Sequence, residues 1–509
     1  MPMNQSRIHH AETRKKQPRF RFLIDKARTY TRAVLLLICA VILFTSCSAK
    51  QPTEETMQTT EHSASSAPVQ TLSQPAYSPV HAQSYFTQAQ SYFSQLATMN
   101  LGGEILVITS VVPDPISEDQ TALDAYRQQR RAMIEQAFHC AVLVLEYDAD
   151  DLYEEMVQDR EQNTGTGLLG DLLLLPQEEI GRFSSAGLLA DIRSLPYVDL
   201  SAPYFDQKAM DQIAAGNRIY AVAGDFTQTP QRAVGVFYNR SLLSSLGSVD
   251  VQQLYQTDTW TWDQFLSLCQ AAQNSGLYGY QIDESLEMSI SQLIVSSAGY
   301  HPVQNALDTT PTVTGDASRQ NEIASTVFRI WNETTRPDPN NEVSARDQWL
   351  SGNAPFYIAP LSEMETMTQT GMDWGLLPLP KVGTTQTSYV SPLTSDAPLL
   401  CVAADTQNTD LAGMLVQALN ASSYGYLEEY YLYHVLSDLA LDNLTALSVS
   451  HILSGSFYDF CDAYASGYPL LKQTFIDTML NGASTSTDST DPTGEVQTTL
   501  NALFRARTP

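Results

Sequence analysis

Asp171–Ile192 reads DLLLLPQEEIGRFSSAGLLADI. Its first part, DLLLLP, is an apolar run of strand length suited to burial on both faces, and QEEIGRFSSAGLLADI supplies a helix after it. Toward the N-terminus the same order occurs twice more. EILVITS precedes the helical DQTALDAYRQQRRAMIEQAF, and AVLVLEY precedes DDLYEEMVQDREQ. Strands alternating with helices imply right-handed crossovers and a mostly parallel sheet, so an α/β domain is predicted to begin near Leu101. In such sheets ligands sit beyond the carboxyl ends of the strands, which aims the loops after Ile108, Tyr147 and Leu175 at any site.

Toward the C-terminus a second unit starts near Tyr238. In TWTWDQFLSLCQAAQ, Thr261 and Gln264 have capping-box spacing, so Thr261 is predicted to cap a helix whose first residue is Trp262. NEIASTVFRIWNE and TDLAGMLVQALNAS are further helices, MDWGLLPLP and DAPLLCVAAD further strands, and ARDQWLSGNAPFYIAP runs from helix into strand. The last 80 or so residues are mostly helical, with a polar interruption at GASTSTDSTDPTGE.

The N-terminus places the protein. Ala33–Phe44 is an uninterrupted apolar run, shorter than the about 20 residues that a membrane-spanning helix needs. Nine Lys or Arg precede it, against Glu12 and Asp25, the pattern of an export signal with its basic end in the cytoplasm. Leu43-Phe44-Thr45-Ser46-Cys47 resembles the lipobox of bacterial lipoproteins, with Phe44 where Leu is commonest. The resemblance implies cleavage before Cys47 and acylation of that cysteine; an uncleaved anchor is the alternative. Ser48 to about Val80, rich in Ser, Thr, Gln and Pro, reads as a tether. The duplication AQSYFTQ–AQSYFSQ, Ala82–Gln95, has a seven-residue period that gathers aromatics near one helix face, either docking on the domain or forming a patch near the membrane.

Charge narrows the function classes. The chain holds 28 basic and 56 acidic residues, and loss of residues 1–46 removes nine and two, leaving 19 and 54, a net charge of −35. Such a surface repels phosphate backbones and disfavours nucleic-acid binding. No HExxH, GxSxG, Walker loop or dinucleotide fingerprint occurs. Beyond Cys47, Cys140, Cys269, Cys401 and Cys461 match no zinc or disulfide-scaffold spacing; they read as buried free thiols, with one disulfide left open. His139-Cys140 reads as a core pair rather than a metal site. Asp148, Asp150 and Asp151 start like a calcium loop but lack its Gly and closing Glu.

Taken in order, DLLLLPQEEIGRFSSAGLLADI, GNRIYAVAGDFTQTPQRAVGVFYNRSLLSSLG from Gly216, TWTWDQFLSLCQAA, GLYGYQID, LSGNAPFYIAP and DWGLLPLP resemble the extracellular solute-binding proteins of carbohydrate-type ABC importers. The likeness covers about Leu101 to Leu436. It implies an α/β, two-lobed periplasmic-binding-protein-like fold of type II, each lobe a mostly parallel sheet flanked by helices and joined by hinge strands. Residues 101–236 and 380–430 are then lobe 1, 237–379 lobe 2, and 431–509 a C-terminal helical extension, behind the signal peptide at 1–46 and the anchor and tether at 47–100. It further implies a solute in the interlobe cleft, ABC permease subunits as partners, no cofactor, no metal and no catalytic residue.

Sugar pockets combine aromatic faces with side chains that bond hydroxyls. By position the candidate ligand residues are Ser110 and Val111, Gln177 and Glu178, Asp225 and Phe226, then Tyr280, Glu363 and Asp396. Tyr238, Trp262 and Trp349 match positions that pack helices. Ala359-Pro360-Leu361 stands where sugar binders often carry an aromatic. The expected function is therefore a lipid-anchored receptor on the outer face of a bacterial, Gram-positive cell membrane. It would pass a sugar or oligosaccharide to a permease. Two rivals stay open. One is a surface carbohydrate hydrolase, whose paired carboxylates lie about 5–10 Å apart by folding rather than by sequence spacing. The other is a surface interaction module that has lost solute binding.

Overall fold

The computed structural model describes residues 80–112, 122–162, 170–227, 229–247, 250–301, 303–313, 316–335, 343–368, 370–425 and 443–465, with Gln497. All of these belong to one unit, Pro75–Pro509. The apolar run at 33–44, Cys39, Cys47 and most of the tether lie outside the described residues, as does much of the C-terminal extension. Among the described residues no helix is long and apolar enough to cross a membrane.

The strands are β1 (Ile105–Ser110), β2 (Ala141–Glu146), β3 (Leu172–Pro176), β4 (Ala221–Val222), β5 (Val234–Asn239), β6 (Tyr280–Ile282), β7 (Val303–Gln304), β8 (Thr312–Val313), β9 (Phe356–Pro360), β10 (Trp374–Pro378), β11 (Ser391–Pro392), β12 (Pro398–Val402) and β13 (Ser456–Phe457). They form two main sheets, ordered β2-β1-β3-β12-β4 and β10-β5-β9-β6, and two small pairs, β7-β8 and β11-β13. Each main sheet anchors one lobe. The chain leaves the first sheet through 223–233 and returns to it through 393–397, so β5 belongs whole to the second sheet. The expected boundary at 236–237 thus falls inside β5.

The sheets are less parallel than expected. β1 runs parallel to β2 and β3, but β12 runs antiparallel to both β3 and β4. In the second sheet only β6 and β9 are parallel, and β5 opposes β9 and β10. The physical reason is the route of the chain. The crossover rule governs strands linked by a helix within one sheet, whereas β5 and β12 enter from the other lobe. As a result the carboxyl ends of β1, β3 and β4 face the start of β12. Likewise the carboxyl ends of β6, β9 and β10 lie beside the start of β5.

DLLLLP behaves as its composition demands. Every residue of β3 is buried, between one apolar cluster that holds Leu172 and Leu174 and another that holds Leu173 and Leu175. The second cluster continues through Cys461 and Tyr464 to Phe237, Trp349 and Trp374 of the second lobe. A third fills the far face of the second sheet with Tyr238, Trp260, Trp262 and Phe265. Tyr238, Trp262 and Trp349 are core residues, as predicted. A buried indole N–H needs an acceptor. Those of Trp260, Trp262 and Trp349 donate to Pro378 O at 2.9 Å, Ser297 Oγ at 2.8 Å and Pro355 O at 3.3 Å.

Local expectations fared unevenly. The helix Trp262–Asn274 starts where predicted, but Thr261 makes no side-chain capping bond. A β-bridge to Lys381 holds Thr261 instead, and Trp262 N–H donates to Lys381 O at 2.9 Å. A full capping box forms elsewhere, between Ser289 and Gln292. His139 is exposed rather than in the core, because it sits at a left-handed turn (φ 48°) between a helix and β2. Cys140, Cys269, Cys401 and Cys461 are free thiols.

The duplicated segment forms the helix Val80–Phe93 and docks on the first lobe. Ala89 is fully buried, and Tyr92 meets Tyr204 and Tyr424 edge-on at 5.6 and 5.2 Å. Phe86 lies under the Arg130 guanidinium at 4.8 Å.

The helix Thr409–Ser423 covers the first sheet and carries Gly413 in its interior, where a Cβ would lie 1.8 Å from Pro196 O. In an exposed helix, Gly→Ala stabilises by about 0.8–1.0 kcal/mol. Here Gly413→Ala should instead destabilise by about 1–3 kcal/mol, read as a lower urea midpoint. A raised midpoint would show that the helix does not seat on Pro196 in solution.

Candidate functional site

The carboxyl ends of the two sheets meet where the chain crosses between them, and backbone hydrogen bonds lace the segments together. Gln177, just after β3, donates its N–H to Ala397 O at 2.9 Å and its Nε2 to Thr394 O at 2.7 Å. Glu178 N–H donates to Ser395 O at 3.3 Å, and Thr394 N–H to Arg232 O at 3.1 Å. From the second lobe, Leu361 and Ser362 donate to Ala233 O and Gln231 O at 2.9 and 3.0 Å. The Arg232 guanidinium pairs with Asp396 at 2.7 Å, and Thr394 Oγ donates to the same carboxylate at 2.5 Å.

Beside this junction the second lobe contributes a polar quartet. Glu363, after β9, is nearly buried and pairs with Arg346. Tyr357 on β9 donates its hydroxyl to Asp283, which follows β6 and also accepts from Ser285 N–H at 2.9 Å. Burial pushes the Glu363 carboxyl above the usual carboxylate range, and Arg346 opposes the shift. Burial likewise raises the Tyr357 phenol, with the charges of Glu363 and Asp283 adding to the effect. On the first lobe, burial raises the Glu179 carboxyl against the pull of Arg182, 3.5 Å away.

Of the expected residues, the structure brings Gln177, Glu178, Asp396 and Glu363 to this junction. Ser110 and Val111 occupy the neighbouring strand end. Ser110 is fully buried with its Oγ on Val112 O at 2.8 Å, and Val111 N–H donates to Leu174 O at 2.9 Å. Asp225 and Phe226 are elsewhere. They form a short 3₁₀ turn against the helix Thr409–Ser423, where Phe226 joins the apolar cluster on the opposite face of the sheet. Tyr280 must also be withdrawn as a contact. It is 1% exposed, with its ring 5.8 Å from Phe265. Side chains alternate along a strand, so Tyr280 faces the core while Gln281 and Asp283 take the other side.

Four groups at the site are absent from the sequence reading: Arg232, Asp283, Arg346 and Tyr357. The strand-end rule applied to β6 finds Asp283; nothing local marks the two arginines. The C-terminal extension was also set apart, yet its helix Phe460–Ala465 packs directly on Gln177–Ser185. Tyr464 donates its hydroxyl to Ile213 O at 2.9 Å, and Tyr458 to Pro398 O at 3.3 Å. A Cβ on Gly181 would lie 2.6 Å from Tyr464 Cα, so glycine permits the approach. Among the described residues no group of His, Cys, Asp or Glu is arranged to hold a metal ion. Asp148 acts as a helix cap, accepting from Asp150 N–H at 2.9 Å. The junction gathers carboxylates, guanidiniums and amides from both lobes.

Gln177 is the side chain that ties β3 to the returning segment. Gln177→Leu keeps the volume but leaves Thr394 O without its donor in a buried place, and should destabilise by about 1–3 kcal/mol. Urea denaturation measures it; an unchanged midpoint would mean that water replaces the amide.

Comparison with known proteins follows the same layout. No curated protein sequence matches the chain. Solved structures do, at low identity. The galacto-N-biose/lacto-N-biose I-binding protein of the Bifidobacterium longum ABC transporter, in complex with lacto-N-biose, is 14% identical with a TM-score of 0.50 over 80% of this chain and 98% of that one. An ABC substrate-binding protein from Listeria monocytogenes, in complex with cycloalternan, is 15% identical with a TM-score of 0.49 over 79% and 98%. The GacH receptor of Streptomyces glaucescens is 14% identical with a TM-score of 0.48 over 80% and 100%. The fold is the two-lobed, type II periplasmic-binding-protein-like α/β fold. The family described as bacterial extracellular solute-binding protein matches residues 129–426, more than half of the chain and both crossings between the lobes, and this protein belongs to that family.

Proposed function

We propose that this protein is a lipid-anchored receptor that captures a sugar or oligosaccharide at the lobe junction and delivers it to an ABC permease. The observation that carries the reading is the family match over residues 129–426, which takes in the second sheet, all of the first but β1, and both crossing segments. The solute class is taken over from the Bifidobacterium longum protein of the same fold, bound to lacto-N-biose. Glu178, Asp396 and Glu363, with Arg232, Asp283 and Arg346, are the groups assigned to hydroxyls; Gln177, fully buried with its amide on Thr394 O, orders the strand end that Ser110 and Val111 shape. Closure of the lobes about the crossings would signal a loaded receptor to the permease. Acylated Cys47 and the polar tether would hold the receptor on the outer face of the membrane of a Gram-positive cell.

A second reading draws on the C-terminal helix. Phe460–Ala465 sits on the helical stretch Gln177–Ser185 that follows β3 and would meet a solute, which favours an interaction module whose junction is filled by its own chain.

Thermal unfolding with lacto-N-biose, maltose and longer oligosaccharides separates the two. A ligand at 100 times its Kd stabilises by about 2.7 kcal/mol, and Asp396→Asn or Glu178→Gln should remove that gain. Stabilisation by peptides or polyamines alone would overturn the sugar assignment, and no response to any solute would favour the interaction module. Mass spectrometry of membrane-extracted protein should find Cys47 acylated at the N-terminus; an intact leader would overturn the anchor.

A further inference from the structure

A cavity of about 540 Å³ lies at the seam between the N-terminal helix Val80–Phe93 and the first lobe, and none of the junction residues lines it. Tyr92 walls it from the end of that helix. Tyr197, Asp199 and Tyr204 come from the turns before Gln207, and Met414 and Gln417 from the helix Thr409–Ser423. Tyr92, Tyr204 and Met414 belong to the apolar cluster that holds Leu172 and Leu174. The volume falls within the about 300–1,000 Å³ usual for small-molecule sites.

The wall is held in place by its own bonds. Gln417 Oε1 accepts from Asp199 N–H at 3.1 Å, and its Nε2 donates to the Tyr204 hydroxyl. Burial pushes the Tyr204 phenol up to about 12, so it stays neutral at pH 7. Tyr92 and Tyr204 meet at 5.6 Å with their planes 62° apart, which makes a corner rather than a flat wall. Tyr197 stands at the rim, 53% exposed, with a φ of 64°. A bulky side chain rarely adopts this left-handed conformation. Pro196, the residue before it, is seated against Gly413, where a Cβ would meet Pro196 O. Backbone held in such sparsely populated regions clusters at ligand clamps.

Charge narrows the ligand. Among the described residues Asp199 is the one charged side chain in the lining, and it forms no ion pair there. Ser201 donates its N–H and Oγ to Asp199 Oδ1, at 3.0 and 2.6 Å, which leaves Oδ2 for a ligand. An anion would face this carboxylate with no base beside it. A primary ammonium brings three donors, more than one carboxylate oxygen and the phenols can satisfy. A quaternary ammonium brings none. It is attracted by aromatic rings and by a carboxylate without needing hydrogen bonds, and the Met414 thioether is a polarizable neighbour for its methyl groups.

We propose that this cavity binds a quaternary ammonium group, with Tyr92, Tyr197 and Tyr204 as the aromatic wall and Asp199 as the counter-charge. The site does not depend on solute capture at the junction. Calorimetric titration of the full chain with choline, tetramethylammonium and the neutral isostere 3,3-dimethylbutan-1-ol tests it. Asp199→Asn removes the charge and keeps an acceptor for Ser201, Tyr197→Ala removes the rim ring, and Tyr197→Phe restores it; circular dichroism verifies that each variant folds. Both cations should bind, and the neutral alcohol at least about tenfold more weakly. Asp199→Asn and Tyr197→Ala should each weaken choline at least about fivefold, while Tyr197→Phe and the junction variant Asp396→Asn retain it. A second arm uses phosphatidylcholine vesicles. Vesicle binding that Tyr197→Ala reduces assigns the group to a lipid headgroup, and a response to free choline alone assigns it to a soluble ligand; both support the site. Binding of neither choline, tetramethylammonium nor vesicles, an equal affinity for the neutral alcohol, or binding that survives Asp199→Asn and Tyr197→Ala overturns it. A response lost only in Asp396→Asn belongs to the junction and overturns it as well.

Discussion

β12 lies antiparallel between β3 and β4, with Pro398 opposite Pro176 and Val402 opposite Leu172. Buried backbone donors and acceptors must be paired, so a strand arriving from the other lobe has to enter where both neighbours can complete its ladder. That insertion draws 393–397 across the end of β3. It places Thr394 O under the Gln177 amide and Asp396 against Arg232. The polar junction is a consequence of the ladder, because its partners are drawn from segments that only the register of β12 brings together.

The same constraint shapes how the lobes can move. Two crossing segments run side by side, and the C-terminal segment adds a third tie through the parallel pair of β11 with β13. The helix Asn443–Gly455 packs on β10 of the second lobe, and Phe460–Ala465 packs on the first. The extension therefore straps the lobes together near their hinge. Small backbone rotations at 223–233 and 393–397 are the natural way to open the junction while the ladder of β12 stays intact.

Much of the fold was legible from local pattern. DLLLLP announces a strand buried on both faces because nothing polar interrupts it, and Tyr238, Trp262 and Trp349 are buried as the family positions they match imply. Gln177 and Glu178 follow the carboxyl end of a central strand, so position alone nominated them. Tyr280 lies on the wrong face, since alternation along β6 turns it inward and Asp283, three residues on, toward the junction. Asp225 and Phe226 failed because β4 is only two residues long and the chain turns back onto the helix Thr409–Ser423. The parallel expectation failed for β5 and β12 because strand direction depends on which lobe the chain comes from.

The sequence by itself determined the alternation of strands and helices, the apolar inner faces and the order of motifs that marks the family, because each rests on neighbouring residues and periods of two or 3.6. Tertiary structure alone decided that Arg232 pairs with Asp396 and Arg346 with Glu363, and that the C-terminal helix covers Gln177–Ser185. These depend on groups from distant parts of the chain, and no local period carries the register that sets them side by side.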